Sequence, residues 1–230
     1  MKIAIMGAMR EEIDPILESV GTYQTLEHAG NVFYTCAYKN HELVIAYSKI
    51  GKVFSAITAS VMLERFGAQV LLFSGVAGGI SKELKIGDLI MASSLCQHDV
   101  DIVAFGHPYG FIPEGTLMIE SDTNLRSLAS EVAIDMGVDL YEGIIATGDQ
   151  FVASSERKEW IQQTFDADAL EMEGASVACV CQNFGIPFFV LRAISDTADG
   201  GASDDFDAFL QTSASVSAKF ILEMVKRIGN

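Results

Sequence analysis

Positive charge is scarce in this chain: 15 Lys and Arg stand against 31 Asp and Glu in 230 residues, a net charge of −16. A surface of that sign repels phosphate backbones and anionic lipid, which argues against nucleic-acid and membrane partners. Cysteine is scarce too. Cys36, Cys96, Cys179 and Cys181 fall inside apolar runs, and Cys179-Val-Cys181 has neither CxxC spacing nor a matching pair of histidines. That excludes a recognisable zinc site or disulfide framework and leads us to expect reduced, buried thiols in a cytoplasmic protein. No run is long and apolar enough to cross a bilayer. The opening run Lys2-Ile-Ala-Ile-Met-Gly7 is too short for a signal peptide, and Glu11-Glu12 follows it. There is no Pro/Ser-rich linker, no repeat and no low-complexity tract. One domain spanning 1–230 is therefore expected.

What is present is apolar residue in plenty, half of the chain, enough for a large core. Lys2–Gly7 and Val70-Leu-Leu-Phe-Ser74 read as buried strands. Asn31–Tyr38 and Glu42–Ser48, joined by Lys39-Asn40, read as a hairpin. Further strands are expected at Ile86–Ala92, Cys96–Phe105, Glu142–Gly148 and Phe188–Ile194. Helical pattern covers about Arg10–Val20, with Pro15 awkward unless it falls in the first turn, and Val53–Phe66, stopped at Gly67. It recurs over Thr123–Met136, capped by Ser121 or Asp122 and stopped at Gly137. A charged helix capped by Ser154 or Ser155 reaches Phe165, another starts at Ala175, and a last one covers about Asp205–Ile228. The fold class expected is α/β: a mixed, mostly parallel sheet flanked by helices.

The chain is organised around Asp168-Ala-Leu-Glu-Met-Glu-Gly174 and Val190-Leu-Arg-Ala-Ile-Ser-Asp196, each an apolar strand ending in carboxylates. Glu171 and Glu173 are two apart, so a strand would point both to one face. Ligand crevices in α/β sheets lie beyond the carboxyl ends of strands, where a carboxylate is a candidate acid, base or hydroxyl ligand. Taken singly, each also reads as an exposed loop acid or a helix N-terminal charge. Gly75-Val-Ala-Gly-Gly79 lacks both the GxGxxG and the P-loop pattern, and alone it reads as a tight strand-exit turn. Phe151 can stack on a planar ligand or belong to the core. Arg192, inside an apolar strand, needs an anionic partner, for which Glu171 would serve. His98, Asp99 and Asp101 lack ligand spacing, and the two Asp alternate with Val100 like an exposed strand face, so no metal is expected.

These residues resemble a known family, the methylthioadenosine/S-adenosylhomocysteine nucleosidases of the purine nucleoside phosphorylase superfamily. The likeness rests on Ile5-Met-Gly-Ala-Met-Arg-Glu-Glu12, Ser48-Lys-Ile-Gly-Lys52, Gly75–Gly79, His98-Asp-Val-Asp101, Ala104-Phe-Gly106, Gly148-Asp-Gln-Phe151, Glu171-Met-Glu173 and Arg192-Ala-Ile-Ser-Asp196. Ala8-Met-Arg-Glu-Glu12, Gln97-His-Asp-Val-Asp101 and Gly148-Asp-Gln-Phe-Val152 look closest to members that also act on aminodeoxyfutalosine, a menaquinone precursor. The resemblance implies hydrolysis of a purine–ribose N-glycosidic bond without a cofactor. It makes Asp196 the acid that protonates adenine N7, arriving protonated because burial raises its pKa. It makes Glu12 the base for water and Glu173 the ligand of the ribose hydroxyls. Met172 would line the sugar, Phe151 would stack on adenine while the Val152 backbone reads its edge, and Met9, Ile50 and Gly78 would line the site. Ser195 and Arg192 would orient Asp196 and the water. The family's homodimer implies that Ile102, Phe105 and Pro113 close the partner's 5′ pocket, and that Phe206, on the Asp199–Asp207 loop, belongs to a lid. One departure is Val76, where some members carry a Ser whose hydroxyl lies near the water.

Two rivals remain at the level of sequence. A nucleoside phosphorylase would show Gly-Asp-Pro-x-Arg after the first strand; Arg10-Glu-Glu12 stands there, and acid at the nucleophile site suits water better than phosphate. A non-catalytic nucleoside sensor need not keep Glu12, Glu173 and Asp196 together.

Overall fold

The computed structural model of the chain describes residues 1–196 and 202–229, the second stretch with side chains from residue 209 onward. Its centre is β1 (Lys2–Gly7), parallel to β4 (His41–Tyr47) on one side and to β5 (Val70–Gly79) on the other. β5 continues parallel into β10 (Phe188–Asp196). Outside β4 lie β3 (Asn31–Tyr38) and then β2 (Gln24–His28), both antiparallel pairings, with the hairpin turning at Lys39-Asn40 as expected. On the far side, β6 (Leu89–Gln97), β8 (Leu140–Thr147) and β9 (Ala169–Glu171) run parallel. Antiparallel β10–β6 and β5–β9 pairings close β5, β10, β6, β8 and β9 into a ring. The short β7 (Ile119–Glu120) adds to β6.

The reason for the buried runs is visible in how they alternate. Ile3 and Ile5 of β1, Val70 and Leu72 of β5, and Phe189 and Leu191 of β10 face one core. There they meet α1 (Arg10–Val20), α3 (Thr123–Met136) and α6 (Ala202–Val225). Ala4 and Met6, Leu71 and Phe73, and Phe188 and Val190 face the other core, against α2 (Lys52–Glu64) and α5 (Gly174–Phe184). With helices on both faces, the central strands can be apolar throughout. Each buried Ile, Leu or Phe removes enough apolar surface to contribute about 1.5–3 kcal/mol. A third cluster joins the ring to α4 (Ser155–Phe165) through Ile161 and Phe165. Asp122 caps α3, its carboxylate accepting the Leu125 N–H at 2.9 Å, and Ser154 caps α4, accepting from Arg157 at 3.3 Å.

Three expectations change, and one strand, β2, had no counterpart among them. Ile86–Ala92 and Cys96–Phe105 are not two strands: β6 ends at Gln97 and the chain turns, with a short 3₁₀ turn at Val103–Phe105. The carboxylates that looked like an exposed strand face drive that turn, since Asp101 Oδ1 accepts the Val103 N–H at 3.0 Å. Gly75–Gly79 is not an exit turn but the second half of β5, buried along its whole length. Pro15 lies inside α1, beyond its first turn. β2 carries no apolar alternation because it is an exposed edge strand.

Candidate active site

A cavity of about 360 Å³ opens beyond the ends of β1, β4, β9 and β10 and along the glycine-rich half of β5. Its size is in the range of small-molecule sites. Glu12, Glu173 and Asp196 all line it, and all are buried, at 3%, 5% and 3% exposure. Sequence positions 12, 173 and 196 meet because each lies at the end of a different strand: Glu12 sits in the first turn of α1, Glu173 immediately precedes α5, and Asp196 ends β10.

Glu12 is held by backbone. Its Oε2 accepts the N–H groups of Ala8 at 2.6 Å and Met9 at 3.0 Å, and its Oε1 accepts that of Val76 at 3.0 Å. Burial pushes its carboxyl above the ordinary value, opposed by the charge of Arg192 and by those three N–H groups. Gly75 makes this position possible. A Cβ there would lie 2.6 Å from Glu12 Oε1, so the residue must be glycine for close approach and not for a left-handed backbone. Gly7 serves the same end, with a Cβ 3.0 Å from that of Glu12.

Glu173 and Glu171 do not share a strand face as the spacing suggested. β9 ends at Glu171, the chain turns into α5, and the two carboxylates diverge. Glu173 Oε1 accepts the Gly51 N–H at 2.8 Å. Burial, with the charge of Glu171 added, pushes Glu173 up to about 8, against the Gly51 N–H and Arg192. Glu171 also lines the cavity, but its oxygens are taken by partners of its own. Its Oε2 accepts from Arg192 at 2.7 Å and from the N–H groups of Gly174 at 2.7 Å and Glu173 at 3.2 Å, and its Oε1 takes the Thr147 hydroxyl. Arg192 also donates to the carbonyls of Leu191 and Phe73 and lies over the Phe73 ring at 4.1 Å. It is therefore the partner of Glu171 and does not line the cavity, while its charge acts on Glu12. Ser195 does reach Asp196: its hydroxyl lies 2.9 Å from Oδ2.

Met9, Ile50, Gly78, Phe151, Met172 and Ser195 also line the cavity, as the sequence suggested. Val152 lines a narrow adjoining recess of about 40 Å³ with Gln150, Phe151 and Asp196. Phe151 stands at the mouth, 52% exposed. Ala8, Ala77 and Leu170 are wall residues that carried no signal in the sequence. Ile102, Phe105 and Pro113 do not line this cavity; Phe105 is 81% exposed. The Asp199–Gly201 stretch lies outside the described residues, and so does the side chain of Phe206, whose backbone is in α6. His98, Asp99 and Asp101 diverge: His98 is buried beside Arg157, Asp99 pairs with Lys52, and Asp101 caps its own turn. Among the described residues no group of three or more His, Cys, Asp or Glu is placed to hold a metal ion. Nor, among them, is any helix long and apolar enough to cross a membrane.

Several buried carboxylates around one cleft suit paired acid–base work. Comparison with known proteins shows the family. The phosphorylase superfamily model matches residues 2–226. An aminodeoxyfutalosine nucleosidase from Campylobacter jejuni is 55% identical over 228 residues, covering 99% of this chain and 100% of that protein. A 5′-methylthioadenosine/S-adenosylhomocysteine nucleosidase from Oceanobacillus iheyensis is 38% identical over 229 residues, covering 99% of this chain and 100% of that protein. The Helicobacter pylori 5′-methylthioadenosine/S-adenosylhomocysteine nucleosidase, solved with a pyrrolidine-based ligand, superposes with a TM-score of 0.98 at 54% identity, covering 99% of each chain. The chain belongs to the phosphorylase superfamily and, within it, to the family of these nucleosidases.

Proposed function

We propose that the chain hydrolyses the N-glycosidic bond of adenosine-type nucleosides and releases adenine. The substrates are 5′-methylthioadenosine, S-adenosylhomocysteine, 5′-deoxyadenosine and 6-amino-6-deoxyfutalosine. The observation that carries this reading is the meeting of three buried carboxylates, Glu12, Glu173 and Asp196, in one cavity with Phe151 at its mouth. Relatives named for aminodeoxyfutalosine at 54–56% identity support including that nucleoside.

In this reading adenine stacks on Phe151 with its edge along the Val152 backbone. Asp196, in the role of the acid, gives its proton to N7. The C1′–N9 electron pair then leaves with a neutral base. Glu173 holds the ribose hydroxyls, and Glu12 takes a proton from the water whose oxygen bonds to C1′. Burial makes Glu12 a stronger base than an exposed carboxylate. Val76 has no hydroxyl to place the water, but its N–H already fixes Glu12 at 3.0 Å, so the base itself can hold that water. Ser195 would steady Asp196, and Met172, Met9, Ile50 and Gly78 would shape the sugar and 5′ end, with Phe206 as part of a lid.

A homodimer belongs to the same proposal. Val53, Phe54 and Ile57 form one exposed apolar face of α2, next to the exposed Ile50. Val103, Phe105 and Tyr109 are exposed on the segment after β6. Apolar exposure on this scale marks an interface, and it supports Ile102, Phe105 and Pro113 acting in the partner's site. The four cysteines are free thiols, in keeping with a cytoplasmic setting.

The phosphorylase reading loses support from Arg10. It faces outward, its Nε 2.9 Å from Asp14 and its guanidinium 3.2 Å from the Tyr34 hydroxyl, and it does not line the cavity. The test is adenine release from 5′-methylthioadenosine in phosphate-free buffer and again with phosphate. Hydrolysis gives free methylthioribose in both. Release only with phosphate, giving the sugar 1-phosphate, would mean a phosphorylase, and tight binding without release would mean a sensor.

A further inference from the structure

Three of the segments that carry the family likeness contain charged residues with no part in the hydrolysis described: Lys52, Asp99 and Asp149. They come from the β4–α2, β6-exit and β8-exit loops, and they meet. Asp99 Oδ1 accepts from Lys52 Nζ at 2.7 Å, and Oδ2 accepts the Asp149 N–H at 2.9 Å. Asp149 Oδ1 accepts the Lys52 N–H at 2.8 Å, which closes the circuit and satisfies the first turn of α2. The ion pair is largely sheltered, its side chains 18% and 15% exposed, so solvent screens it less than an ordinary surface pair. Burial alone would raise the Asp99 carboxyl; the Lys52 and Asp149 hydrogen bonds outweigh it and hold the group below its ordinary value.

Each end of this circuit is tied to a different part of the candidate active site. Gly51, next to Lys52, donates its N–H to Glu173 Oε1 at 2.8 Å. Its backbone is left-handed, φ +99°, and a Cβ there would lie 3.0 Å from Asp149 Oδ1. Asp149 lies two residues before Phe151. We propose that Asp99 is a positioning residue: through Lys52 and Asp149 it fixes the spacing between the base-binding loop at Phe151 and the ribose ligand Glu173. The inference rests on the nucleosidase reading of Phe151 and Glu173. Loss of the clamp then harms a ligand that spans both halves and spares one that occupies a single half.

The test is Asp99→Asn, which keeps the shape but turns an NH₂ toward one of two donors, measured alone and in a Glu173→Ala background. Expected is a fall of about ten-fold or more in kcat/KM for 5′-methylthioadenosine, with the dissociation constant of free adenine changed less than about two-fold. In the Glu173→Ala background the same substitution costs less than about three-fold, because Ala leaves the Gly51 N–H no acceptor and the path through Gly51 is already cut. An equal factor in both backgrounds overturns the inference, as does a loss of adenine affinity as large as the loss in kcat/KM. If Asp99→Asn does not fold, Lys52→Gln is put through the same comparison. Full activity of Glu173→Ala by itself would instead remove the ribose role of Glu173, on which the inference stands.

Discussion

Gly75→Ala tests how the base is held. The new methyl would lie 2.6 Å from Glu12 Oε1, 3.0 Å from Cδ and 3.2 Å from Oε2. The first of these is far inside carbon–oxygen contact, and β5 is buried along its length and cannot step back. Glu12 must therefore withdraw, and the Val76 N–H bond to Oε1, 3.0 Å long, is the one it gives up. A buried hydrogen bond to a charged group contributes about 1.5–3 kcal/mol. Overpacking adds about 1–3 kcal/mol. A loss of roughly 3–5 kcal/mol in a chain of this length lowers Tm by about 10 °C. A misplaced general base costs at least about 100-fold in kcat. Calorimetry and an adenine-release assay read both quantities, and binding of free adenine should persist because Phe151 and Val152 are untouched. A Gly75→Ala enzyme with near-wild-type kcat and an unchanged Tm would refute the argument that glycine is there to admit Glu12.

Three further outcomes are expected. Glu12→Gln loses hydrolysis but binds adenine; failure to bind adenine would make Glu12 structural. Arg192→Met leaves Glu171 buried without its cation and costs about 3–5 kcal/mol of stability, read as a drop in urea midpoint that a surface arginine such as Arg10 would not reproduce. Glu173 gives a pH dependence: its carboxyl is raised from 4.5 to about 8, so in that window the folded protein holds a proton the unfolded chain has released. Stability from this group is full below about pH 4.5 and falls by a few kcal/mol as pH rises through about 8. Glu173→Gln should flatten that fall in a pH series of Tm, and an identical slope in the variant would count against a buried, protonated Glu173.

Much of this fold was legible because its central strands are continuous apolar runs and three of its helices, α1, α3 and α5, end at glycines. Val70–Phe73 and Phe188–Leu191 could be buried strands on either side of a sheet, and they are neighbours. The ring was not legible, since antiparallel β5–β9 and β6–β10 pairings join residues far apart in sequence with no local signature. Gly75–Gly79 misled as a turn because the need for Gly75 lies in a side chain more than sixty residues earlier, Glu12, and that for Gly79 in Ile194, and not in local backbone. Asp99 and Asp101 read as a strand face because alternation was all the sequence offered; their partners, Lys52 and the Val103 N–H, become visible only in three dimensions. Arg192 was correctly seen to need an anion, and Glu171 is that anion. The carboxylates Glu12, Glu173 and Asp196 were findable because each sits where a strand gives way to a helix or loop.

The most direct measurement is turnover and binding of 5′-methylthioadenosine by Asp196→Asn. Asn keeps the size and the contact with Ser195 but has no acidic proton to give to N7. The account predicts that the nucleoside binds and is recovered intact, with no adenine formed over a time in which the wild-type protein consumes it fully. Adenine release at a rate near that of the wild type would contradict it, and Asp196 would then not be the acid.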